Sequence, residues 1–147
     1  MGRVRRHHRD PRGTHPGALT GLEQLRAAGW TLGILTNGAV DIQQAKIERT
    51  GLARRVDAVT ISEEIGVRKP ERVAFEVAAA RCGSTPSRDV WFIGDNPETD
   101  IVGALEAGLS TIWVGDTAEW PSHLPSSDRS SPDVRGAITE LLTEVAQ

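Results

Sequence analysis

The residues best suited to chemistry lie in one short string, where two aspartates follow a run of apolar residues. Residues 90–93 are apolar and end at a glycine, a pattern typical of a buried strand. Asn96 can cap a helix and Pro97 suits its first position, so we predict that a helix begins there. Asp95 is then expected at the tip of the strand and Asp100 in the first turn of the helix.

Two carboxylates held this close together could bind a metal ion. Mg²⁺ prefers oxygen ligands, keeps several of its waters and is often completed by a substrate phosphate. The alternative is that Asp95 closes a turn and Asp100 complements a helix dipole. A lone Gly-Asp pair would favour this structural alternative, so the metal-site interpretation depends on other segments of the chain.

Two further polar segments follow predicted strands. Thr36, Asn37 and Gly38 combine a hydroxyl, an amide and a backbone that a ligand can approach closely, which suits a phosphate. Lys69, followed by Pro70, offers a compact positive charge that can neutralise a phosphate or a carboxylate. Taken alone, the triplet is more typical of a turn and the lysine more typical of the surface. Their combination with the aspartates is more specific than any one of them.

Apolar periodicity and turn residues divide the chain into alternating helices and strands. We predict strands over residues 30–35, 56–61, 90–93 and 111–114, and helices between residues 16 and 29, over 41–50, 71–82 and 96–107, and from about residue 131 onward. Residues 62–70 and 117–133 are predicted as loops. This alternation predicts an α/β fold with a parallel sheet that has helices on both faces. Ligands bind beyond the carboxyl ends of such strands, where Thr36, Lys69 and Asp95 all fall.

The composition is that of an ordinary globular domain. The 147 residues are 38% hydrophobic and 25% charged with a net charge of -3, which favours neither nucleic acid nor a membrane as partner. One cysteine, Cys82, fits a reducing compartment, so we expect a cytoplasmic location. We predict one domain over residues 15–147, preceded by a basic, disordered arm over residues 1–14. The arm has no aromatic residue for stacking on bases, so nucleic-acid binding is not expected. The sequence leaves the oligomeric state open.

The polar segments together resemble a known family. They are Thr36-Asn37-Gly38, Ser62-Glu63-Glu64-Ile65-Gly66-Val67-Arg68-Lys69-Pro70 and Gly94-Asp95-Asn96-Pro97-Glu98-Thr99-Asp100, with His15-Pro16-Gly17-Ala18 before them and Gly103-Ala104 and Ala107-Gly108 after them. In this order they resemble the Rossmann-like core of haloacid dehalogenase superfamily hydrolases, in the capped branch similar to phosphoglycolate phosphatases. The resemblance runs from about His15 to the C-terminus.

The resemblance implies a role for each matching residue. Thr36 would bind the transferred phosphoryl group, with Asn37 orienting it, and Lys69 would hold that group beside the nucleophile. Asp95 would coordinate Mg²⁺, and Asp100 would support the metal directly or through water. The paired aspartates favour the Mg²⁺-dependent phosphatases of the superfamily over its metal-free dehalogenases.

One part of the family pattern does not appear. The nucleophile belongs to an Asp-x-Asp-x-Thr/Val motif that ends the central first strand, and the nearest string here is Asp10-Pro11-Arg12-Gly13-Thr14. No apolar strand precedes this string, so we interpret it as a coincidence. We expect the central strand to be missing, which would leave an empty slot between the strands that end at Thr36 and Ile93. Such a chain would be a truncated hydrolase, weakly stable unless another segment fills the slot.

The leading hypothesis is a Mg²⁺-dependent phosphatase fold that acts on a small phosphorylated metabolite through an aspartyl phosphate, in a chain that lacks the nucleophile. The alternative is a non-catalytic remnant that binds phosphate or Mg²⁺, or a domain completed by a partner. The sequence does not identify the substrate, because the cap that contributes specificity in this branch of the family is not found in it.

Overall fold

The computed structural model describes residues 2–5 and 17–145 of the chain, with side chains over 17–143. These residues form a six-stranded parallel sheet with the order β3-β2-β1-β4-β5-β6. The strands are β1 (Gly2–Arg5), β2 (Thr31–Thr36), β3 (Ala58–Ile61), β4 (Trp91–Gly94), β5 (Ser110–Val114) and β6 (Arg129–Ser131). The predicted α/β fold with a parallel sheet is therefore confirmed.

Helices connect the strands. They are α1 (Ala18–Ala27), α2 (Val40–Arg49), α3 (Ser62–Ile65), α4 (Arg72–Arg81), α5 (Gly103–Glu106) and α6 (Val134–Val145), with short 3₁₀ turns at Leu52–Arg54 and Thr117–Glu119 and a π-helical turn at Pro97–Val102. The predicted helix over residues 96–107 is thus a π turn followed by α5. Over the described ranges, no helix combines the length and the apolar character needed to cross a membrane.

Two apolar clusters cover the two faces of the sheet. The first is formed by α1, α2 and α6 against alternate residues of the strands: Leu22, Leu25, Ile47, Ile138 and Leu141 meet Leu32, Ile34, Ile93 and Ile112. The second joins α4 and α5 to the other face, where Phe75 packs edge-on against Phe92 of β4 with ring centroids 5.1 Å apart. Burial on both faces explains why β2, β4 and β5 consist mainly of apolar residues.

The structure corrects the expectation of an empty slot in the middle of the sheet. Gly2–Arg5 lies between β2 and β4 and pairs in parallel with both, with Val4 opposite Gly33 on one side and Phe92 on the other. Backbone groups on the inner edges of β2 and β4 need hydrogen-bond partners, and a backbone of any sequence can supply them. The prediction of a disordered arm is therefore wrong for residues 2–5, and its remainder, including Asp10, lies outside the described residues.

The last strand was also missed, because β6 falls within the predicted 117–133 loop. It is three polar residues at the edge of the sheet, so it shows no apolar alternation. Asp128 fixes it by accepting hydrogen bonds from the amide and the hydroxyl of Thr111 in β5, at 2.8 and 3.1 Å. Burial acts to raise the pKa of Asp128, but hydrogen bonds from Arg88 and Thr111 outweigh it and the net shift is downward.

Two buried threonines provide a test of how polar groups are satisfied in the sheet. Thr60 is 1% exposed and its hydroxyl has no hydrogen-bond partner within the described ranges, whereas the hydroxyl of the fully buried Thr111 donates to and accepts from Asp128. Thr60→Val should stabilise the fold by about 1 kcal/mol, because it removes an unpaired buried hydroxyl. Thr111→Val should destabilise it by about 1–2 kcal/mol.

Thermal unfolding followed by circular dichroism measures both changes, with an expected upward shift of about 3 °C for Thr60→Val and a downward shift for Thr111→Val. A loss of stability in both variants would show that the hydroxyl of Thr60 has a partner.

Candidate functional site

The candidate site lies at the carboxyl edge of the sheet, where β3, β2 and β4 end, with β1 between β2 and β4. β2 ends at Thr36, β3 ends at Ile61 and β4 ends at Gly94. The segments that follow these strands are the three that the sequence singled out. Because the strands are parallel, their following loops meet at one edge, as in other open α/β sheets.

A buried ion pair joins two of these loops. Lys69 and Asp100 are both fully buried, and the Nζ atom of Lys69 donates to Oδ1 of Asp100 at 2.7 Å. The ammonium also lies 5.6 Å from the centre of the Phe92 ring. Burying either charge alone would carry a large desolvation penalty, so the two loops have to be brought together for either residue to be accommodated.

Asn37 holds the backbone on the other side of this ion pair. Its Oδ1 accepts from the amide of Lys69 at 2.9 Å, and its Nδ2 donates to the carbonyl of Lys69 at 3.2 Å. The side-chain amide thus pairs with one residue of the neighbouring loop as a strand residue would. This arrangement gives Asn37 a role in positioning Lys69, which the sequence did not reveal.

Asp100 also shapes the loop that carries Asp95. Its Oδ2 accepts from the amides of Asp95 and Asn96 at 3.2 and 3.0 Å. The side chain of Asn96 caps the following turn by accepting from the amides of Glu98 and Thr99 at 3.0 and 2.9 Å, as the sequence predicted. Gly94 is required here, because a Cβ atom on it would lie 2.5 Å from the Cβ of Asp100.

The loop after β2 is fastened to α3. Gly38 donates its amide to Oγ of Ser62 at 2.9 Å, and Val40 donates its amide to Oε1 of Glu63 at 2.8 Å. The carboxylate of Glu63 therefore lies at the N-terminus of α2, where it complements the helix dipole. These contacts between separate segments have no signal in the sequence, since each donor and acceptor is common in loops.

α3 is itself anchored by Glu64. Its Oε1 accepts from Arg81 of α4 and, at 3.4 Å, from the amide of Ile61. The hydrogen bond from Arg81 is the main reason that the pKa of Glu64 lies below its usual value. A cavity of about 440 Å³ opens between α3 and the two polar loops, lined by Asn37, Gly38, Ser62, Glu63, Gly66, Val67, Arg68 and Glu71.

The structure connects four of the six candidate residues in a chain of contacts that runs from Asn37 through Lys69 and Asp100 to Asp95. Thr36 lies at the same edge and is 4% exposed, but its hydroxyl contacts Gln43 at 3.4 Å. The amide of Gly38 donates to Oγ of Ser62 in α3, so it is not free to point outward toward a ligand. Among the residues with described side chains, no three His, Cys, Asp or Glu are grouped closely enough to hold a metal ion by themselves.

A family model described as haloacid dehalogenase-like hydrolase matches residues 5–108. The chain belongs to this family. The resemblance noted in the sequence is therefore confirmed, and so is the hydrolase fold that it implied.

Several curated proteins of this family are similar to the chain. The pyrimidine 5'-nucleotidase YjjG of Escherichia coli is 41% identical over 99 residues, which are 67% of this chain and 44% of that protein. The phosphoserine phosphatase of Thermus thermophilus is 36% identical over 128 residues, which are 86% of this chain and 49% of that protein. The chain thus spans about half the length of these relatives.

A solved structure of this family has the same fold as the chain. The structure of a haloacid dehalogenase family phosphatase from Thermococcus onnurineus superposes with a TM-score of 0.76 at 26% identity, over 90% of this chain and 58% of that one. The sheet that carries the candidate site is therefore shared with this phosphatase structure.

The ion pair that organises the site can be compared with a pair at the surface. Lys69→Met removes a cation that is paired with the buried Asp100 and should lower the free energy of unfolding by about 3 kcal/mol. Arg26→Met breaks the Arg26–Asp57 pair, which has a similar distance of 2.8 Å but partly exposed side chains. This variant should change the free energy of unfolding by less than about 1 kcal/mol.

Urea unfolding followed by circular dichroism measures both variants. Equal losses of stability would mean that burial adds nothing to the importance of the Lys69–Asp100 pair.

Proposed function

We propose that the carboxyl edge is the phosphate- and Mg²⁺-binding part of a phosphatase site for a small phosphorylated metabolite. The observation that carries this proposal is the buried Lys69–Asp100 pair, which ties together the loops that hold Asn37 and Asp95. A structural ion pair needs no such convergence of polar loops at the ligand-binding edge of a parallel sheet. The relatives named above, a phosphoserine phosphatase and a nucleotidase, support the same class of reaction.

Lys69 and Thr36 would bind the phosphoryl group. The ammonium of Lys69 is oriented by Asp100 and carries the compact positive charge that a phosphate would need. Thr36 would turn its hydroxyl from Gln43, a contact of 3.4 Å, toward a phosphate oxygen. Asn37 would act through Lys69, whose backbone it holds, and Gly38 would line the cavity beside it.

The donor set fits Mg²⁺ in part. Asp95 is partly exposed at the strand tip and would supply a carboxylate oxygen, while Asp100 would complete the site directly or through a water. One or two carboxylates with waters and a phosphate oxygen are the usual ligands of this ion. Bound there, Mg²⁺ would offset the negative charge of the phosphate.

Turnover needs a nucleophile, and family chemistry through an aspartyl phosphate would take it from an Asp-x-Asp motif. The 147 residues contain no such string. We therefore propose that this chain binds phosphate and Mg²⁺ without turnover. The non-catalytic alternative therefore describes the activity proposed for this chain. The phosphatase hypothesis describes the class of site to which its binding residues belong.

The test is calorimetric titration of the whole chain with MgCl₂ and with inorganic phosphate, beside an assay of phosphate release from an aryl phosphate. Asp95→Asn should weaken Mg²⁺ binding at least tenfold, because it removes the charged ligand. Thr36→Val should weaken phosphate binding and leave Mg²⁺ binding unchanged. Asp89→Asn, which changes an exposed carboxylate before β4, is the matched control and should change neither.

Two results would contradict the proposal. Equal Mg²⁺ affinity in Asp95→Asn and Asp89→Asn would remove Asp95 from the metal site. Release of phosphate by the unaltered chain would show that a nucleophile is present, and Asp10 would become the candidate for that role.

A further inference from the structure

The indole of Trp113 makes a contact that neither apolar core explains. Trp113 lies in β5 directly opposite Gly94 of β4 and is 5% exposed. Its neighbours Ile112 and Val114 belong to the cluster under α1 and α6, but Trp113 is not a member of either of the two clusters found in the described part of the chain. Its Nε1 donates instead to the carbonyl of Asp95 at 2.9 Å.

This hydrogen bond completes the fixation of Asp95. The amide of Asp95 donates to Oδ2 of Asp100 at 3.2 Å, and the amide of the next residue, Asn96, donates to the same oxygen at 3.0 Å. With the carbonyl held by Trp113, the backbone groups on both sides of the Asp95 Cα are held. The direction of its Cα–Cβ bond is then set before any ligand arrives.

Two neighbours keep the indole in place. A Cβ atom on Gly115 would lie 2.4 Å from Cζ2 of Trp113, so the absence of a side chain there makes the space for the ring. Trp120 packs against the ring edge-to-face, with centroids 4.8 Å apart and planes at 68°. Aromatic pairs of this geometry restrict both rings.

We propose that Trp113 is a positioning residue for Asp95, and that through its N–H group it sets the geometry of the Mg²⁺ ligand. The part that concerns Mg²⁺ rests on the function proposed above, whereas the fixation of the Asp95 loop does not. Trp113 touches neither ligand nor metal in this role; it acts only through the backbone of Asp95.

Trp113→Phe tests the N–H group, because it keeps an aromatic ring and removes the donor. Trp120→Phe is the matched control, since the N–H of Trp120 has no partner among the described residues. Hydrogen exchange of the Asp95 and Asn96 amides, measured by NMR on the whole chain, should be about fivefold to tenfold faster in Trp113→Phe. In Trp120→Phe, which keeps a ring against Trp113 and the Trp113 donor, it should rise by less than about twofold. Unchanged or equally faster exchange in the two variants would overturn the proposal.

Gly115→Ala provides a second route should Trp113→Phe fold poorly. It keeps the indole but displaces it, so exchange at Asp95 and Asn96 should again rise; protection equal to that of the unaltered chain would count against the proposal.

Calorimetry with MgCl₂ tests the link to the metal. Trp113→Phe should bind Mg²⁺ severalfold more weakly than Trp120→Phe, and equal affinities would overturn the metal part of the inference. If the unaltered chain takes up no Mg²⁺, the proposed function fails, while the exchange rates still decide whether Trp113 positions Asp95.

Discussion

An ammonium group with no exposed surface needs a carboxylate beside it, and the pairing of Lys69 with Asp100 meets that need. The pair joins the loop after β3 to the segment after β4, and Asn37 ties the loop after β2 to the same lysine. Since Lys69 is bonded both to Asp100 and to Asn37, the three loops are held as a unit rather than as independent turns. The rigidity of the candidate site is thus a consequence of charge burial.

Close approach of these segments depends on small residues at two points. Gly94 leaves room for the carboxylate of Asp100 across the end of β4. A Cβ atom on Gly103 would lie 2.9 Å from both Pro70 and Phe75, so the loop that carries Lys69 rests directly on the backbone that follows Asp100. Side chains larger than hydrogen at either point would separate the loops, and an ion pair at 2.7 Å does not tolerate separation.

The sequence predicted the parts of this structure that depend on local pattern. β2 and β4 and the cap at Asn96 follow from apolar runs and turn residues, and the polar triplet and the aspartates were placed at the correct edge because parallel strands end together. What it could not predict depends on tertiary contacts. Gly2–Arg5 forms the central strand by pairing with β2 and β4, with a charged sequence that no apolar pattern marks. Likewise, a single lysine gives no sign of burial, and the partners of Asn37 and Trp113 lie in distant segments.

The formal charges of the site indicate how its two proposed ligands would depend on each other. Lys69 and Asp100 neutralise each other, so Asp95 leaves the three side chains with one net negative charge. A phosphate dianion entering alone would therefore meet repulsion from these three side chains taken together. A divalent cation bound first at Asp95 would reverse the sign of the local charge, and in a partly buried site this interaction is weakly screened. The pairing that stabilises Lys69 in the interior thus also neutralises its charge, and under the proposed function phosphate binding at this edge would depend on Mg²⁺.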